Sequence, residues 1–193
     1  MSSQLAPGFL IAAPSMTDPH FSGSVVLMAE HNDEGAIGFI LNRPTPLTLC
    51  TLLQSVDKDL ADIASDKGIG DRPVLLGGPV QRHIAWVLYQ RQREEELDEG
   101  SIGVGSQLAV GASIEILRAF VNGEKPGPFH VLLGYSGWGE QQLEGEITQG
   151  SWLPLELEDD LAFETEIEEC WDEALKRLGL IPGAFMMGPG AKA

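Results

Sequence analysis

Three unbroken apolar runs open the chain: Gly8–Ala13, Val25–Ala29 and Ala36–Leu41, each five or six residues long and rich in Val, Ile, Leu or Phe. A strand with one wet face alternates apolar with polar, and these runs do not. The pattern predicts strands covered on both faces. Between the second and third runs, Asn32-Asp33-Glu34-Gly35 carries turn residues, with Gly35 suited to a positive φ. Ser24–Glu30 and Ala36–Leu41 are therefore predicted to pair as an antiparallel hairpin, and Pro44 and Pro46 to end that pairing.

Further along, the periodicity changes. Thr48 is placed to cap a short helix bearing Leu49, Leu52, Leu53 and Val56. Ser55–Gly70 is polar and reads as a loop holding at most a helical turn. Pro73–Leu76 and Ile84–Tyr89 read as strands of a second hairpin, turned at Gly77-Gly78-Pro79. Arg91–Gly100 is a charged connection, and Ile102–Val110, broken by Gly103 and Gly105, fits no single element. Ser113 or Ala112 opens a helix carrying Ile114, Leu117, Phe120 and Val121, which stops at Asn122-Gly123. Phe129–Leu133 is another buried strand, followed by a Gly-rich turn, Gly134-Tyr135-Ser136-Gly137-Trp138-Gly139, and a helix from Glu140 to about Thr148.

Trp152–Leu157 puts Leu at every second position, with Pro154 in the middle, which suits an edge strand. A final helix is signalled by a Thr165/Glu168 capping box, by an apolar face through Ile167, Cys170, Trp171, Ala174, Leu175 and Leu178, and by Lys176 and Arg177 in its last turn. Gly183–Ala193 reads as a loose tail. These elements imply an α+β fold. One compact domain spans residues 1–193, with a mixed, mostly antiparallel sheet of β-hairpins and several helices packed on it.

Charge narrows the partners. The net charge is −17, of which residues 1–93 carry −2 and residues 94–193 carry −15. Such a chain repels a phosphate backbone, so direct nucleic-acid binding is disfavoured. The one basic stretch, Lys67, Arg72, Arg82, Arg91 and Arg93, is followed at once by Glu94-Glu95-Glu96 and reads as scattered solvated side chains. Glu156–Glu173 holds ten acidic residues and no Lys or Arg, and reads as a solvated outer face. The N-terminus lacks the basic residues of a secretory signal, and no apolar run reaches membrane-spanning length. Cys50 and Cys170 sit beside apolar neighbours and are expected to be reduced and buried, which points to the cytoplasm, though a disulfide between them stays open. His20, His31, His83 and His130 show no metal-ligand spacing, so neither metal nor cofactor is expected.

Three polar segments at strand ends form a candidate binding site. The first is the stiff loop Pro14–Phe21, from which Met16, Asp18, Pro19, His20 and Phe21 are candidates, with Met16 and Phe21 tucked back onto the core. The second is Asn42-Arg43, and the third is Gly134, Tyr135, Ser136, Gly137 and Trp138. Asp18 would orient the loop, Arg43 would pair with an anionic group, and Tyr135 and Trp138 would give flat apolar contact. Ser136 invites a nucleophile reading, but Trp138 stands where a nucleophile elbow needs Gly, so no catalytic residue is assigned.

The segments GFLIAAPSMTDPHFSGSVVLMAEHNDEGAIGFILNRP, LLGGPV, and LLGYSGWGEQQLEGEI followed by GSWL resemble the AlgH/YqgE family of bacterial proteins, as does LAFETEIEECWDEALKRLG more loosely. One departure is Gln141, where that family usually carries Gly. The resemblance implies an α+β fold and a cytoplasmic bacterial protein. It also brings the label of a transcriptional regulator without an established activity. The resulting expectation is a non-enzymatic binding or regulatory protein acting through a protein partner or a small anionic ligand, with a homo-oligomer left open. The alternative is a hydrolase or transferase acting on a small anionic substrate, which a Ser136–His pair in a cleft would favour and a Ser136 packed in the core would oppose.

Overall fold

The computed structural model describes residues 5–92 and 96–180. In chain order the strands are β1 (Gly8–Ala12), β2 (Val25–Asn32), β3 (Gly35–Ile40), β4 (Pro44–Thr48), β5 (Pro73–Leu76), β6 (Val80–Gln90), β7 (Ser101–Val104), β8 (Leu108–Gly111), β9 (Phe129–Gly139) and β10 (Trp152–Glu156). The helices are α1 (Leu49–Gln54), α2 (Lys58–Asp66), α3 (Ile114–Asn122), α4 (Gln142–Thr148), α5 (Asp159–Phe163) and α6 (Cys170–Arg177). The strands form one sheet in the order β10-β1-β2-β3-β9-β6-β8-β7, with β5 beside β9 and β4 beside β5. Every pairing is antiparallel except β5 with β9.

The unbroken apolar runs have a direct explanation in three cores. Phe9, Ile11, Val25 and Leu27 pack into one core with Leu88, Leu132 and residues of α5 and α6. Their neighbours Leu10, Ala12, Val26 and Met28 face the opposite way, into a second core with Trp138, Leu143 of α4 and Trp152. A third core lies under α1, α2 and α3, where Val87, Tyr89, Phe129 and Val131 meet Leu53, Leu60 and Phe120. Both faces of the central strands are dry, so alternation has no role there.

Several sequence expectations are corrected. β5 and β6 are not a hairpin: β5 runs parallel to β9, Leu75 beside Leu132, and β6 runs antiparallel to β9. Gly77-Gly78 crosses over β9 instead of turning back, with Gly77 N donating to Leu133 O and Gly77 O accepting from Ile40 N. The β2–β3 pairing does stop before Pro44, its last pair being Val26 with Ile40, but Pro44 and Pro46 then lie in an unforeseen strand, β4, at an edge beside β5, where a missing N–H costs no ladder bond. Ser55–Gly70 contains the full helix α2, capped by Asp57, whose side chain accepts from Leu60 N, with Leu60, Ala61 and Ala64 as its buried face. Gly134–Gly139 is no turn: β9 runs straight through it, pairing Gly137 with Ile37 and Ser136 with Gly38 of β3. Ile102–Val110 resolves into the β7–β8 hairpin.

The Thr165/Glu168 capping box also fails. α6 starts only at Cys170, with Glu169 at its N-cap and no side-chain cap bond, and the unpredicted α5 precedes it. Arg177 reaches back from α6 to the carboxylates of Glu158, Asp160 and Glu173, so part of the acidic run is an ion-pair network that ties α5 to α6. Thr48 caps α1 and Gly123, at φ +82°, ends α3, as the pattern predicts. Cys50 and Cys170 are both free thiols; Cys170 is buried in the first core, where burial pushes its thiol up to about 12, whereas Cys50, expected to be buried, is only half-buried against the third. Arg93, Glu94, Glu95 and the tail Gly183–Ala193 lie outside the described residues. No helix among the described residues is long and apolar enough to cross a membrane.

Candidate functional site

A cleft of about 470 Å³ opens between the Pro14–Phe21 loop, the end of β9, α4 and the start of β10. Its floor is aromatic. Phe21 stacks on Trp138 at 6.1 Å between centroids and meets Trp152 edge-on at 5.3 Å, and Trp138 and Trp152 are themselves edge-on at 5.8 Å. Glu146 of α4 stands over this floor. Its Oε2 accepts from both indoles, Trp138 Nε1 at 3.0 Å and Trp152 Nε1 at 2.8 Å, and its Oε1 accepts from Gln142 Nε2 at 2.9 Å. Buried indole N–H groups need partners, and here one carboxylate oxygen serves two of them. Gln142 Oε1 in turn accepts from Gly139 N at 3.1 Å, which fixes α4 to the end of β9.

The facing wall is the loop, and it is held from behind. Asp18 Oδ1 accepts from His20 N at 2.7 Å, and Asp18 O accepts from Phe21 N and Ser22 N. Arg43 spends its guanidinium on loop carbonyls: Nη1 donates to Pro19 O at 2.9 Å and His20 O at 2.6 Å, and Nη2 to Ser22 O at 2.9 Å. Asn42 Oδ1 accepts from Val25 N and its Nδ2 donates to Gly23 O. Pro14 and Pro19 therefore stiffen a loop that Asn42 and Arg43 clamp.

Of the residues singled out in the sequence, Met16, Asp18, Phe21, Gly137 and Trp138 line the cleft. Pro19 and His20 sit on the loop away from the lining, and Asn42 and Arg43 lie behind it as braces. Arg43, expected to meet an anionic group, spends three of its five N–H donors on loop backbone oxygens. The convergence of Tyr135 with Trp138 is corrected: three residues apart on one strand, they point to opposite faces, Tyr135 into the first core against Trp86 and Trp138 into the second. Ser136 is fully buried, with its Oγ donating to Gly77 O at 3.3 Å and, among the described residues, no imidazole at hydrogen-bonding distance, the arrangement expected to oppose a nucleophile.

Glu146, Gln142 and Trp152 were not foreseen. The available signal was Gln142 and Glu146 at i,i+4 on one helix face, between two Trp residues whose indoles need acceptors once buried.

A second anchor positions α4. His31 Nδ1 accepts from Leu5 N at 3.2 Å, which leaves the proton on Nε2 to donate to Glu144 Oε1 at 2.9 Å. The Glu144 carboxyl is held below the usual carboxylate range, first by its own backbone N–H and then by His31. At the start of α4, Gln141 adopts φ +57°, a left-handed conformation that glycine takes more readily. Gln141→Gly is therefore expected to leave the fold intact and to add up to about 1 kcal/mol of stability, read from urea unfolding. A loss of stability would show that the Gln141 side chain makes an offsetting contact. Among the described residues, no three His, Cys, Asp or Glu side chains are grouped to hold a metal ion.

Comparison with known proteins places the geometry in context. The family described as DUF179, AlgH-like, matches residues 9–183. A UPF0301 protein of Anaeromyxobacter dehalogenans is 48% identical over 186 residues, covering 96% of this chain and 94% of its own length. A UPF0301 protein of Vibrio parahaemolyticus is 36% identical over 182 residues, covering 94% and 96%. The solution structure of the AlgH protein from Pseudomonas aeruginosa superposes with a TM-score of 0.75 at 29% identity, covering 100% of this chain and 98% of that one. A crystal structure of a Corynebacterium diphtheriae protein shares the fold, with a TM-score of 0.69 at 20% identity over 89% of this chain and 86% of that one.

Proposed function

The chain belongs to the AlgH-like family, and we propose that it is a binding or regulatory protein, not a catalyst, whose recognition site is the cleft over Phe21, Trp138 and Trp152. The occupant is a positively charged group that donates hydrogen bonds: a basic side chain of a protein partner, or a small organic cation. The observation that carries this reading is the charge of the lining. Asp18 and Glu146 both contribute to the cleft, and among the described residues no Lys or Arg does. Each carboxylate keeps acceptor capacity, since Asp18 Oδ1 and Glu146 Oε1 each take one of the hydrogen bonds described above and a carboxylate accepts about four. Phe21, the half-buried ring of the floor, adds cation–π attraction. This replaces the anionic ligand that Arg43 suggested, because Arg43 is bound to the loop backbone.

A net charge of −17 steers cations toward such a cleft and nucleic acid away from it. The regulator label attached to this family would then act through a partner in the cytoplasm and not through DNA contact.

The test is an NMR titration of the indole N–H signals of Trp138 and Trp152 with arginine amide, spermidine and inorganic phosphate. Arginine amide or spermidine is expected to move both signals, and Asp18→Asn to weaken that response at least several-fold. Phosphate moving the signals in place of the cations overturns the reading, as does a cleft that answers to none of the three.

A further inference from the structure

A second groove, of about 270 Å³ and sharing no lining residue with the first cleft, lies between the start of β9 and the segment joining α5 to α6. Its walls are Leu49, Phe129, Val131, Phe163 and Ile167, with Arg72 at its rim. We propose that this groove binds a small monocarboxylic acid with an apolar body, the carboxylate on the Arg72 guanidinium and the body against Phe129, Phe163 and Ile167.

Charge complementarity is the first argument. The chain carries 29 acidic residues against 12 Lys and Arg, yet among the described residues the groove is lined by one Arg and by no Asp or Glu. Its other titratable lining group, His130, favours the neutral form: burial lowers its pKa and nearby Arg72 adds to that, against the opposing pull of Ala162 O, which lies 3.0 Å from Nε2. A neutral imidazole reaching a carbonyl must do so through its N–H, so Nε2 carries the proton. Arg72 is then the only charge in the lining among the described residues, and a guanidinium fork matches a carboxylate bidentately.

The placement of Arg72 is the second argument. The guanidinium sits over the Phe129 ring, 5.3 Å from its centroid, and shows no ion pair among the described residues. Stacking holds the charge at the groove while leaving its N–H edge available. His130 stacks on Phe163 at 5.2 Å and 16°, which fixes the opposite wall. Size and composition set the ligand class. Ligand pockets usually span about 300–1,000 Å³, so a groove of about 270 Å³ suits a small molecule. One cation serves one carboxylate, not a polyphosphate. Asp71, Glu164, Glu166 and Glu168 flank the lining residues in sequence without lining the groove, so added salt, which screens them and Arg72 alike, is expected to change affinity only modestly.

The experiment follows the His130 ring C–H signals by NMR during titration with octanoate, with octan-1-ol as the uncharged match and inorganic phosphate as the anion without an apolar body. Octanoate is expected to shift those signals saturably and to bind about tenfold tighter than octanol, with phosphate inert. Arg72→Gln, an exposed change that leaves the fold intact, is expected to remove that tenfold preference. Octanol matching octanoate, an unchanged preference in Arg72→Gln, or shifts confined to the Trp138 and Trp152 indoles would each overturn the proposal. The cation titration of the first cleft reads different signals, so either site can fail alone.

Discussion

Trp152→Ala is expected to lower the free energy of unfolding by about 3–5 kcal/mol, the usual cost of deleting a buried Trp. Trp152 heads the fully buried side chains by volume and is 1% exposed, so truncation leaves a cavity under the cleft and not a solvated notch. The loss has two further parts. Phe21 and Trp138 each lose an edge-on partner, and Glu146 Oε2 loses the shorter of its two indole donors. Trp152→Phe separates these contributions. It retains most of the volume and the ring contacts but not the N–H, so it should cost distinctly less, and the difference between the variants reports packing. Urea unfolding with an unchanged slope is the measurement. A cost below about 1 kcal/mol for Trp152→Ala would mean that the aromatic floor collapses to fill the space, and the cleft could not then be a preformed site.

How much of this was legible in the sequence depends on the range of the interaction. The hairpin of β2 and β3, the caps at Thr48 and Gly123 and the edge strand at Trp152–Glu156 are set by neighbours in the chain, and they read correctly. The segments that misread are those whose neighbours are distant. Gly77-Gly78 and Gly134–Gly139 look like turns because glycine favours turns, yet β9 runs through the second and the first lies directly against it, at Gly134, Tyr135 and Ser136. α2 was missed because its buried face is one Leu and two Ala in a polar segment, and only the packing of α1 and α3 makes that face a core. The loop half of the cleft was legible from Met16, Asp18 and Phe21. The α4 half was not, since Glu146 takes its meaning from two indoles brought to it by different strands. Arg43 was noticed for its charge and turned out to serve geometry, which no local pattern distinguishes.

Gly78→Ala is expected to cost at least about 3 kcal/mol, the upper end of the usual range for overpacking. Gly78 does not have a positive φ, so nothing in its backbone conformation forbids a side chain. The obstacle is space. A Cβ there would fall inside the van der Waals radii of Tyr135 C, Tyr135 O and Ser136 N, all backbone atoms of the central strand. Backbone in the middle of a ten-stranded sheet cannot move aside alone. Displacing Tyr135 and Ser136 would strain the pairing of Gly38 with Ser136 and of Val80 with Tyr135. Gly77 is equally hemmed in, by Gly134 O, so the chain cannot slip by one residue to make room. Thermal unfolding and the fraction of soluble protein measure the effect. If Gly78→Ala were as stable as the parent, the crossing of residues 77 and 78 over β9 would have to be looser than described. The parallel seating of β5 beside β9 would then lose the close contact that fixes it.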